Sequence, residues 1–161
     1  MSIMNELEAL GLALEVEKNE LELYLNLARK VKDKKAKNMF LFLAGQEFEH
    51  LKSFEEKFLE FAIEECKLPA VDKELLKKLI INVKGVESEV EALKIAMEQE
   101  KLTWEFYENA AKSAEKESVR RVFEELAKAE EEHYELLKAQ YDSVMKTGIW
   151  MDYQDFNLEV E

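Results

Sequence analysis

Cys66 is the only cysteine in the sequence, so no disulfide can form within the chain, and no Cys₄ zinc or iron centre can be built from it alone. Proline occurs once, at Pro69, and glycine four times, too few turn-makers for a fold of many short strands. No window approaches the roughly eighteen consecutive apolar residues of a membrane span, and Met1 to Glu6 has no basic segment leading into an apolar run. Positive charge is also short. Against 36 Asp and Glu stand 23 Lys and Arg, a formal charge of -13, which repels a phosphate backbone rather than neutralising it. Neither nucleic acid nor a membrane is therefore expected as a partner, and a reducing cytoplasm suits the single thiol.

What the sequence does have is Leu, Ala, Glu and Lys in quantity, all good helix formers, and 161 residues, enough for one well-packed domain. The expected fold is all-α. Leu14 to Phe54 matches Met97 to Leu137 at a constant offset of 83: Glu17 falls on Glu100, Tyr24 on Tyr107, Phe40 on Phe123, Glu47 on Glu130 and His50 on His133. Two copies of one helical hairpin account for this. Each copy carries apolar stripes at spacings of three and four, such as Leu10, Leu14, Glu17, Leu21, Tyr24 and then Phe40, Leu43, Glu47, His50, Phe54, the seam of packed helices. Polar stretches at Lys32 to Lys35 and Lys116 to Ser118 mark tight hairpin turns. Cys66 to Pro69 should break the second helix, and Val71 to Val83 reads as a short amphipathic helix within a long crossover. The expected organisation is a four-helix bundle over residues 1–147 and a tail over 148–161, whose Trp150, Tyr153 and Phe156 are spaced to pack on the end of the bundle or on a second subunit.

Six ionisable residues interrupt the seams: Glu17, Glu47, His50, Glu100, Glu130 and His133. Glu47 and His50 are three apart on a helix, as are Glu130 and His133, so each pair projects from one face. One Glu-x-x-His in a chain so rich in Glu means little. Two on equivalent seams, using the only two histidines present, mean much more. Glu17 and Glu47 lie about fifteen residues either side of the first turn, roughly 22 Å of helix, and Glu100 and Glu130 are placed alike about the second. All four carboxylates therefore fall in one layer. Such a layer would repel itself and pay heavily in desolvation unless cations compensated it. Two divalent ions balance four carboxylates, with two neutral imidazoles completing the donor set. Carboxylate mixed with imidazole suits iron first, with manganese and zinc as alternatives.

The paired pattern of Glu, Tyr seven residues later, then Glu-x-x-His resembles the rubrerythrin branch of the ferritin-like di-iron carboxylate proteins, over nearly all the chain but the tail. The resemblance implies a ferritin-like antiparallel bundle, with Glu47 and Glu130 bridging two metals, Glu17 and Glu100 terminal, and one histidine on each metal. Tyr24 and Tyr107 would be donors to those carboxylates, although a core aromatic whose hydroxyl needs a partner explains them too. Full rubrerythrins add a rubredoxin-like Cys₄ module that one cysteine cannot supply, so the electron donor would be external. They also tend to carry an extra carboxylate one turn before the helix-three ligand, where this chain has Met97.

The expected function is reduction of hydrogen peroxide or dioxygen by Fe(II), an oxidative-stress role, in a homo-oligomer, most simply a dimer. The alternatives are a ferritin-type ferroxidase, a dioxygen-dependent oxygenase and a metal-free interaction module. Glu15, Glu20, Glu49, Glu98, Glu131 and Glu132 fall off the seams and are expected to be mostly solvated. Glu20, one turn from Glu17, is the exception, a candidate extra ligand or cation-entry group.

Overall fold

A computed structural model describes residues 5–152. Among these, five helices and no strand occur: α1 (Glu6–Lys30), α2 (Lys34–Glu65), α3 (Lys73–Leu79), α4 (Glu89–Ser113) and α5 (Glu117–Thr147). The four long helices form the antiparallel bundle, and α3 sits in the crossover. It is shorter than the amphipathic stretch that opened at Val71 and ran to Val83.

Capping sets the helix starts. The side chains of Asn5, Asp33 and Ser88 accept backbone N–H bonds at the starts of α1, α2 and α4, each worth about 1 kcal/mol. Lys116 precedes α5 without a side-chain cap. α2 stops at Cys66 and α5 at Gly148, both left-handed, with φ 53° and 71°. Glycine adopts that conformation freely, whereas Cys66 reaches it at some cost.

The hairpins clasp each other at both ends in the same way. Glu6 at the start of α1 accepts from the backbone N–H groups of Glu115 and Lys116 in the α4–α5 turn. Glu89 at the start of α4 accepts from Lys32 and Asp33 in the α1–α2 turn, at 2.9 and 3.1 Å. The same offset of 83 relates the two clasps, so the repeat reaches beyond the segments that matched by sequence. It also makes α1 and α4 antiparallel neighbours, giving the order up, down, down, up.

The hairpins meet along α1 and α4, and α3 packs on both. Leu12 and Val16 of α1 are buried with Leu79 of α3, and Gln99 holds the crossover through Leu79 O at 2.7 Å and Ile81 N at 2.8 Å. α1 is thus covered on two sides, and its buried face is wider than a two-position seam: Ala13, Val16, Glu20 and Leu23 are inside while Leu14 and Leu21 are only half-buried. Opposite the crossover, α2 and α5 approach each other less closely. At the far end, Trp150 packs on the core and Gln140 bonds both N and O of Met151; Tyr153 and Phe156 lie outside the described residues.

Candidate metal centre

Two apolar clusters fill the bundle, one around Leu27, Phe40 and Leu93, the other around Phe54, Tyr107 and Phe123. The layer between them is polar. Glu17, Glu47, Glu100 and Glu130 are fully buried there, His133 is 1% exposed and His50 is half-buried. The structure brings together all six residues singled out by spacing.

It adds a seventh. Glu20 is 1% exposed and converges on the same layer, whereas Glu49, Glu98 and Glu131 are exposed and Glu15 and Glu132 intermediate. The two-position seam of α1 placed Glu20 off the core, yet its carboxylate lies among those of Glu17, Glu47 of α2 and Glu130 of α5. Its position one turn after Glu17 and one turn before Tyr24 was the signal available. The repeat-equivalent residue is Thr103, whose hydroxyl bonds to Gln99, so this feature belongs to one hairpin only. Met97, where an extra carboxylate would have been expected, is half-buried against the apolar core.

Ligand-capable atoms of Glu47, Glu100, Glu130 and His133 lie within 4.8 Å of one another, as do those of Glu17, Glu20, Glu47 and Glu130, and those of Glu47, His50 and His133. Glu47 and Glu130 are common to both four-residue groups. The tyrosines cross between hairpins: Tyr107 donates to Glu17 Oε1 at 2.9 Å and Tyr24 to Glu100 Oε1. The imidazoles of His50 and His133 stack at 5.6 Å and 19°. His133 Nδ1 is 2.9 Å from Glu47 Oε1 and 3.6 Å from Glu100 Oε1.

Burial raises the pKa of Glu17, Glu20 and Glu130 well above the usual carboxylate range, and neighbouring carboxylates add to the effect. Burial also pushes Glu47 up, but Glu17 and His133 together outweigh it and bring it to about 2. For His133, burial acts downward and is overcome by Glu100 and Glu47, which carry it up to about 10. Burial lowers His50. Both tyrosine hydroxyls are pushed well above 10 by burial and the nearby carboxylates, so they stay protonated as donors.

Ten buried side-chain atoms have no hydrogen-bond partner among the described residues. All belong to this layer: Glu17 Oε2, both oxygens of Glu20, Glu47 and Glu130, Glu100 Oε2, and Nδ1 of His50 and His133. Stranding even one such atom costs about 1–3 kcal/mol, so a convergent set is the signature of a site made for cations. Oxygen donors with two imidazoles fit iron or manganese, and the residues present therefore fit a two-metal centre.

The rubrerythrin family model matches residues 8–141. The chain belongs to the rubrerythrin family. Two solved structures share the fold of this chain. A hypothetical protein from Pyrococcus furiosus is 24% identical, with 88% of this chain and 91% of that one covered and a TM-score of 0.71. A hypothetical protein from Methanococcus jannaschii is 23% identical, with 96% and 91% covered and a TM-score of 0.69. No curated protein matches the chain. The rubrerythrin match spans the whole carboxylate layer, and no helix of the described residues is long and apolar enough to cross a membrane.

Proposed function

We propose that this protein is a two-metal oxidoreductase that uses iron to reduce hydrogen peroxide or dioxygen, drawing electrons from an external donor. The observation that carries the proposal is the pair of overlapping ligand groups that share Glu47 and Glu130. In this reading Glu47 and Glu130 would be shared by the two metals, Glu17 with His50 and Glu100 with His133 would complete the two positions, and Glu20 would be a fifth carboxylate on the Glu17 side. Two ferrous ions, when bound, supply the two electrons that, with two protons, convert one peroxide to two waters.

The chain's own contribution is to hold that donor set dry and in place. Tyr24 and Tyr107 each tie a carboxylate of the opposite hairpin, which fixes both hairpins about the centre. Beside His50, between α2 and α5, lies a cleft of about 200 Å³ lined by Ser53, Phe54, Lys57, Glu125 and Ala129 among others. Its size suits peroxide or dioxygen and falls below the roughly 300–1,000 Å³ of pockets for larger organic ligands. Leu41, Phe48, Leu59 and Ile63 are exposed along one face of α2, which supports a dimer formed by a second copy.

The deciding experiment is anaerobic Fe(II) loading followed by peroxide. About two irons per chain, oxidised much faster than Fe(II) in buffer, are expected. Iron that binds but oxidises no faster than free Fe(II) contradicts the oxidoreductase reading, and faster reaction with dioxygen than with peroxide would make dioxygen the oxidant.

A further inference from the structure

Most contacts around the centre obey the repeat. Tyr24 to Glu100 is answered by Tyr107 to Glu17, and the Glu6 clasp by the Glu89 clasp. A contact to one of the two histidines has no counterpart. Gln46 of α2 reaches α5 and places its Oε1 2.8 Å from His133 Nε2. The reciprocal contact would run from residue 129 of α5 to His50, but that residue is Ala129. Its side chain is a methyl group, and both Ala129 and His50 line the α2–α5 cleft.

An amide oxygen only accepts, so a hydrogen bond to it requires the hydrogen of His133 on Nε2. The lone pair of the neutral ring then sits on Nδ1, the atom 2.9 Å from Glu47 and 3.6 Å from Glu100. His50 also has a buried Nδ1 without a partner, but no side chain on α5 plays the part of Gln46.

We infer that Gln46 is a positioning residue that fixes His133 as an Nδ1 ligand, and that its absence from the second repeat makes the two histidines inequivalent, an asymmetry separate from that of Glu20. This rests on the two-metal reading above. One imidazole is held in a single tautomer and orientation, and the other is free to adjust against the cleft. Outer partners of metal-bound histidines commonly contribute about 10–100-fold to affinity, so the asymmetry should appear in metal binding itself, independent of turnover.

Zinc tests this without redox chemistry. In titrations of metal-free protein, Gln46→Ala is expected to weaken one of two binding steps by about 10–100-fold and leave the other. Gln46→Glu, which keeps an acceptor, should restore it. In ¹⁵N imidazole spectra of zinc-loaded protein, one slowly exchanging Nε2–H is expected, lost in Gln46→Ala. Equal weakening of both steps, no weakening, or His133 bound through Nε2 overturns the inference while leaving the two-metal site standing. Failure of the wild type to bind zinc, iron or manganese removes the site itself, and the inference with it. If Gln46→Ala does not fold, Ala129→Gln carries the test: a second slowly exchanging Nε2–H, on His50, is expected, and its absence counts against the reciprocal geometry.

Discussion

Glu20 shows how a functional layer trades stability for chemistry. Both its oxygens are buried and unpartnered, so in the metal-free protein it is a cost that an apolar side chain of similar volume would remove. Glu20→Met should raise the thermal midpoint of metal-free protein, by about 1–3 kcal/mol in unfolding free energy, while weakening binding of a metal on the Glu17 side. Calorimetry with chelator, paired with a metal titration, checks both. A fall in the midpoint would mean that Glu20 is satisfied without metal. Tyr107 acts in the opposite sense. Tyr107→Phe strips Glu17 of its donor and should cost about 1–3 kcal/mol together with about 10–100-fold in metal affinity. Metal affinity unchanged from wild type would leave Tyr107 a core aromatic whose hydroxyl merely found a partner.

At the level of elements, the crossover decides which side of the bundle is closed. It passes over α1 at Gly11, where an added Cβ would lie 2.9 Å from Pro69 Cγ, a ring atom with little room to yield. At Gly45 on α2 nothing lies within 4 Å. Gly45→Ala should therefore stabilise by about 0.5–1 kcal/mol through helix propensity, and Gly11→Ala should lose that gain and more by pushing Pro69 away. Chemical denaturation of the two variants side by side measures the difference, and equal stabilisation by both would show that the crossover does not press on α1.

For the whole molecule, protons and metals compete for one layer. Glu17, Glu20 and Glu130 have folded-state pKa values raised above the ordinary 4.5. Their contribution to stability is therefore complete below that value and is lost as pH rises through the raised ones. His133, raised from 6.5 to about 10, adds to this loss as pH climbs above 6.5, whereas Glu47, lowered from 4.5 to about 2, loses its contribution only as pH falls below 4.5. Metal-free protein should thus become less stable as pH rises above about 5. With saturating zinc or Fe(II) the trend should reverse, because ligation displaces those protons. At about 100 times the dissociation constant, one bound metal adds about 2.7 kcal/mol. Circular dichroism melts across pH, with chelator and with metal, test this; a flat or rising metal-free profile would contradict the buried protonated carboxylates.

The sequence by itself determined the all-α class, the two hairpins, the helix stops at Cys66 and Gly148, and the convergence of Glu17, Glu47, His50, Glu100, Glu130 and His133. These follow from periodicity, capping and a repeat, all local in sequence or copied within it. Tertiary structure decided that Glu20, a candidate from its spacing, joins the layer, because that depends on α2 and α5 setting Glu47 and Glu130 beside it. It also decided that Tyr24 and Tyr107 cross between hairpins and that Gln46, with no counterpart at Ala129, meets His133. These contacts join residues 76 to 90 positions apart, through the way one hairpin is seated on the other, and helical spacing says which face a side chain occupies but not which partner stands opposite.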